Sequence, residues 1–208
     1  PVHTSIGDLM SDIEHFVHDE ANYFPELLKI ALVHYQFETI HPFLDGNGRV
    51  GRLLITLYLV SKGILKKPVL YLSDFFERNR MLYYDNLMGV REKNDLRQWF
   101  KFFLVGLIET AKSGIETFDN ILQLQRVTES KIQTLGSRAA NAQKILNQLY
   151  QRPLIDATRA AAVVEVSPAS AYRLIADLER LGILKEITGG KRGRLYIFTN
   201  YLQLFSGT

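Results

Sequence analysis

Residues 41–52, His41-Pro42-Phe43-Leu44-Asp45-Gly46-Asn47-Gly48-Arg49-Val50-Gly51-Arg52, set a proline and three glycines between two stretches whose apolar residues recur at helical spacing. Pro42 disfavours helical backbone at His41, so the preceding helix must end there. The segment is therefore a loop feeding a helix N-terminus, and the chain must fold around a helix–loop–helix unit. Its glycines permit sharp bends and close ligand approach, because no Cβ stands in the way. The first N–H groups of the new helix, at its positive dipole end, make an anion site. Arg49 and Arg52 lie three apart, share a helical face and can grip several phosphate oxygens. Asp45 offers a hard oxygen ligand suited to Mg²⁺ bridging phosphates. His41 is a titratable base just upstream, able to accept a proton from an attacking hydroxyl. Together these describe nucleotide chemistry.

Two rival readings of the loop fail on context. Gly46 to Gly51 is formally a G-x-G-x-x-G match, but a dinucleotide-binding turn needs a preceding strand inside a βαβ unit. Here a helix and His-Pro precede it. A calcium loop beginning at Asp45 would need glycine where Val50 stands. A plain interhelical turn explains the glycines but not His41, Asp45, Arg49 and Arg52 together.

The remaining chain reads as mainly α. Ile6, Leu9, Met10, Ile13, Phe16 and Val17 predict a first amphipathic helix. Pro25 suits the first turn of a second, with Leu27, Leu28, Ala31, Leu32 and Tyr35 inward. His34, on that helix, is read as a packed or capping residue. A helix follows from about Arg49 to Lys62, stopped by Gly63. Asp74 and Glu77 predict a capping box for one helix from Phe75 to about Val90, and Asp95 with Gln98 another. The latter opens a long helix through Trp99, Phe103 and Leu107, with a break expected near Gly114, towards Leu135-Gly136. From spacing alone Tyr83 and Tyr84 are packing residues, with Arg78 and Arg80 as further pocket candidates. Phe43 is expected to anchor the loop in the core.

A domain boundary is expected near Gly136, dividing a core over residues 1–136 from a small domain over 137–208. The second part carries ten basic and five acidic residues against a whole-chain net charge of +3, so its anionic partners are weakly favoured. Its pattern of three helices and a Gly189-Gly190 hairpin is that of a winged helix. Ser167-Pro168 opens the recognition helix. Ser170, Tyr172 and Arg173 near its start, with Lys191, Arg192 and Arg194 at the wing tip, suit phosphate contacts. Asp177 and Glu179 further along that helix oppose a strong grip on DNA, and a dimerisation or docking role stays open. The chain has no cysteine, which excludes disulfides and thiolate chemistry. No apolar run approaches the roughly 20 residues that span a bilayer, so a cytoplasmic, membrane-free protein is the expectation. The oligomeric state is open, a homodimer included.

The loop resembles the signature of Fic-domain proteins, H-x-F-x-D/E-G-N-G-R-x-x-R, at every defined position. Phe37-Glu38-Thr39-Ile40 before it, Leu53-Leu54 after it, Asn79-Arg80 and Tyr83-Tyr84 are also similar to the family, over roughly residues 1–125. The resemblance implies a protein adenylyltransferase: AMP passes from ATP to a Ser, Thr or Tyr hydroxyl of a target protein, or of the enzyme itself. It makes His41 the general base and Asp45 the Mg²⁺ ligand. It makes Gly46, Asn47, Gly48, Arg49, Val50, Gly51 and Arg52 the ATP-binding stretch, with Asn47 on a phosphate oxygen, Arg49 on the leaving phosphates and Arg52 on the γ-phosphate. Tyr83 and Tyr84 would lie against the nucleotide. The alternatives are removal of AMP from a modified protein, or a nucleotide-sensing regulator that binds DNA through the winged helix. The family's target-docking flap and inhibitory helix find no match in residues 1–40. Ser73 to Glu77, followed by Arg78, is only a near match to the inhibitory pattern. The sequence is thus expected to be the C-terminal portion of a larger protein.

Overall fold

A computed structural model describes residues 5–21, 23–190 and 193–205. It divides into two compact units, Pro1–Gly114 and Ile115–Thr208. The fold is mainly α, as expected. The first unit holds α1 (Ile6–His18), α2 (Glu26–Ile40), α3 (Asn47–Ser61), α4 (Ser73–Arg78), α5 (Arg80–Lys93) and the beginning of α6 (Leu96–Gln133). Asp95 caps α6 as its sequence predicts, its carboxylate accepting from the Gln98 N–H at 3.0 Å. No break occurs at Gly114, because a lone glycine weakens a helix without ending it.

The core of this unit is aromatic. Trp99 and Phe103 of α6 and Ile30, Ile40, Ile55 and Leu59 of α2 and α3 are fully buried. Each such side chain contributes roughly 1.5–3 kcal/mol by leaving water. The Trp99 indole N–H is satisfied by the Ala31 carbonyl at 3.0 Å, so burying this ring strands no donor of its own. His34 lies inside this core, stacked between Phe76 at 5.5 Å and Trp99 at 6.1 Å, which bears out its reading as a packed residue.

The single helix expected over 75–90 is two. Asn79 interrupts it with non-helical backbone, and its side-chain amide donates to the Phe75 carbonyl at 2.9 Å, the local competition that makes asparagine a helix terminator. Asp74 does not cap; it pairs with Arg78 at 2.8 Å.

The second unit contains the rest of α6, then α7 (Ala139–Gln151), β1 (Leu154–Asp156), α8 (Ala157–Val164), α9 (Pro168–Arg180), β2 (Lys185–Glu186), β3 (Leu195–Ile197) and α10 (Thr199–Gln203). The strands form an antiparallel sheet in the order β1-β3-β2. Strand β1 has no counterpart in the sequence reading, since three residues are too few to show an alternation. Pro168 opens α9, and the Ser167 hydroxyl accepts from the Ser170 N–H at 3.3 Å. Lys191 and Arg192 of the expected wing tip lie outside the described residues. Asp177, expected to face outward on α9, is buried and ion-paired with Arg138 and Arg180. Among the described residues no helix is long and apolar enough to cross a membrane.

Candidate active site

The loop from His41 to Gly46 closes through one side chain. Asn47, the first residue of α3, is buried; its side-chain oxygen accepts from the Phe43 N–H at 2.8 Å and its amide donates to the Phe43 carbonyl at 2.6 Å. The Asn47 side chain, expected on a phosphate oxygen, is thus engaged with the loop, with one amide hydrogen left over. Phe43 is likewise anchored by its main chain, because its ring is half exposed, 6.3 Å from that of Phe37.

Gly46 precedes α3 with φ 83°, a conformation glycine adopts without strain. No side chain caps the helix. Among the described residues nothing accepts from the Asn47, Gly48 or Arg49 amides, the orphan donors of the first turn. The same three residues line a cavity of about 330 Å³ together with His41, Asp45, Gly46 and Arg52, and with Arg80, Tyr83 and Tyr84. His41 caps α2 in left-handed backbone geometry, donating its N–H to the Phe37 carbonyl at 2.9 Å, and its side chain is exposed. Asp45 and Arg49 are both exposed and 3.5 Å apart. Arg80 lies 5.9 Å from the Tyr84 ring, which is half exposed.

Val50 and Gly51 do not join this group. Val50 faces outward and Gly51 is buried against α2. A Cβ on Gly51 would fall 2.5 Å from Glu38 Oε1 and 3.1 Å from Phe37 Cδ1, so that glycine serves helix packing rather than a ligand. Arg78 is absent from the lining as well, held by Asp74. The sequence reading missed Phe76, Glu77 and Leu44, which complete the cavity wall. Phe76 and Glu77 sit on α4, which no local signal connects to the loop.

Tyr83 is the buried member of the tyrosine pair. Burial pushes its phenol well above the usual range, and the Glu38 carboxylate adds to the effect. Its hydroxyl lies 3.0 Å from His34 Nε2, while His34 Nδ1 is 3.1 Å from the Gly51 carbonyl. Burial lowers the His34 pKa to about 4, so this ring is uncharged near neutral pH and is no general acid there.

No group of three or more His, Cys, Asp or Glu among the described residues could hold a metal ion alone. Of the residues that line the cavity, the exposed Asp45 carboxylate could hold a divalent cation that also binds phosphates and water.

Residues 3–59 match the sequence model described as the Fic/DOC family. A protein of Aquifex aeolicus (strain VF5), named as a probable protein adenylyltransferase, is 29% identical over 151 residues, which is 66% of this chain and 45% of that protein. The protein adenylyltransferase Fic of Drosophila grimshawi is 34% identical over 95 residues, 45% of this chain and 18% of the relative. The protein adenylyltransferase fic-1 of Caenorhabditis elegans is 32% identical over 98 residues, 47% and 18% respectively. This chain therefore spans less than half the length of these relatives. A crystal structure of a Fic family protein from Desulfovibrio desulfuricans G20 superposes with a TM-score of 0.52 at 20% identity, over 95% of this chain and 56% of that one, a likeness of fold. The motif, the cavity built on it and these likenesses converge on one stretch, residues 3–59, which matches the Fic/DOC family model.

Proposed function

We propose that this protein transfers AMP from ATP to a hydroxyl side chain of a protein. One observation carries the reading: an exposed imidazole, His41, lines the same cavity as the unpartnered α3 amides and the Arg49 and Arg52 guanidiniums. The names of the relatives support it.

His41 takes the proton of the target Ser, Thr or Tyr hydroxyl as its oxygen bonds to the α-phosphorus. The bond to pyrophosphate breaks, and the leaving phosphates carry the negative charge away. Arg49 and Arg52 neutralise that charge, and the Gly48 and Arg49 amides hold phosphate oxygens in place. Such positioning and electrostatic stabilisation is the protein's main contribution to phosphoryl transfer. Asp45 would hold Mg²⁺, which neutralises phosphate oxygens when bound. Tyr84, exposed at the cavity edge, offers a stacking face to the adenine. ATP radiolabelled in its α-phosphate, incubated with the protein and a cell extract, should label protein, and His41→Ala should abolish the label. Labelling that survives the substitution removes His41 as the base.

A second reading concerns residues 137–208, taken as a winged-helix domain. The outer face of α9 presents Tyr172, Arg173 and Arg180, while Asp177 is withdrawn from it into ion pairs. The acidic objection to DNA thus loses one of its two residues. Duplex DNA binding that weakens steeply with salt and is lost in Arg173→Ala supports this reading; no binding leaves the domain a docking role.

A further inference from the structure

Glu38 lies one turn before His41 on α2, outside the cavity lining. Its Oε1 is buried without a hydrogen-bond partner, and it sits 2.5 Å from where a Cβ on Gly51 would be. The next residue, Arg52, shows the complementary defect: its Nε is also buried and unpartnered. Another nitrogen of the same guanidinium reaches the cavity wall. Arg52 Nη1 lies 3.1 Å from the Cβ position of Gly48, over the amide cradle. A buried acceptor on α2 and a buried donor on α3 thus lie behind a guanidinium that also lines the cavity.

Unpartnered buried polar atoms are rare, and each calls for a reason. Here each is of the kind the other needs, an acceptor and a donor, with the carboxylate packed over Gly51 and the donor on the residue after it. Both Arg52 and His41 act electrostatically on Glu38, favouring its ionised form against a burial that pushes its carboxyl upward. Gly51 keeps open the space this carboxylate needs, which accounts for a glycine that no ligand touches.

We propose that Glu38 is a positioning residue for Arg52: its carboxylate accepts from the inner edge of the guanidinium and so aims the outer edge at the outer phosphates of the nucleotide. This deepens the site reading above and rests on it. Glu38 touches neither substrate nor reacting atoms. Its effect reaches only phosphates that Arg52 reaches, leaving the adenosine and the α-phosphate to other residues. Lysine at position 52 would not replace the device, since only a planar fork offers two opposed donor edges.

The test compares Mg·ATP with AMP as ligands of the intact 208-residue chain, by calorimetry, for wild type, Glu38→Gln, Arg52→Ala and the double variant. Glu38→Gln should weaken ATP binding about tenfold and AMP binding less than twofold. In the Arg52→Ala background it should have no further effect, the signature of action through that residue. Glu38→Asp, which keeps the charge, should recover part of the loss. Equal weakening of ATP and AMP, or an undiminished effect without Arg52, overturns the proposal. So does wild-type affinity in Glu38→Gln. If wild type binds no ATP, or Arg52→Ala binds it normally, the site reading itself fails and the proposal with it. Thermal melts of each variant identify any that merely unfold.

Discussion

The hydroxyl of Tyr83 donates to Nε2 of His34 across 3.0 Å, joining residues 49 positions apart. The opposite nitrogen of that ring lies 3.1 Å from the carbonyl of Gly51. A carbonyl can only accept, so Nδ1 carries the proton and Nε2 is left to receive the phenol. One neutral imidazole thereby ties α2 to both α3 and α5, directly behind the cavity.

That tie makes the first unit sensitive to acid. His34 binds its proton in the unfolded chain near 6.5 but in the folded protein only near 4. Above pH 6.5 neither state is protonated, and the full stability is present. As pH falls from 6.5 towards 4, only the unfolded state gains the proton, so stability drops by about 1.4 kcal/mol per pH unit and by roughly 3 kcal/mol in all. Urea denaturation over this range should show the loss, and His34→Asn should remove one proton from the slope. An unchanged slope in the variant excludes His34 as the source.

Asn47→Ala should destabilise the first unit by about 1–3 kcal/mol, because both main-chain polar groups of Phe43 lose their partner. ATP affinity should fall with it, since the loop that shapes the cavity loosens. Asn47→Asp keeps the acceptor and loses the donor, so its stability should lie between the two. Denaturation midpoints check the order.

Two glycine-to-alanine substitutions should act in opposite directions. Gly51→Ala drives a methyl against the Glu38 carboxylate and the Phe37 ring, costing about 1–3 kcal/mol. Gly114→Ala, inside α6 with nothing within 4 Å of the new methyl, should stabilise by about 0.5–1 kcal/mol. Thermal melts of the two proteins should move apart.

In the second unit, the buried Asp177 carboxylate depends on Arg138 and Arg180, whose own side chains are 48% and 73% exposed. Removing both arginines strands a charge in the interior, at about 3–5 kcal/mol. Asp177→Asn leaves two solvated cations and should cost less. Chemical denaturation of the double variant Arg138→Ala, Arg180→Ala beside Asp177→Asn tests that asymmetry.

What the sequence reveals follows from range. The loop is legible because Pro42, Gly46 and the two arginines act within a dozen residues, where backbone rules and helical spacing apply directly. The Asp95 cap and the Ser167-Pro168 start of α9 are local in the same way. The break at Asn79 escapes because asparagine competes with a helix only when its side chain finds a carbonyl. Asp177 escapes because a helical face is fixed by its neighbours, and here the neighbour is Arg138, 39 positions earlier. Gly51 and Val50 read as ligand residues through membership of a motif, whereas packing against Glu38 and Phe37 explains the glycine. Phe76 and Glu77 reach the cavity only through the tertiary arrangement of α4.

His41 holds φ 54°, a left-handed backbone that suits glycine and that other residues occupy at a cost of about 1–2 kcal/mol. The most comfortable residue at this corner would therefore be one with no side chain at all. Glycine here would make a sturdier chain without the imidazole that lines the cavity, so the unfavourable corner is what places that ring where the proposed transfer needs it.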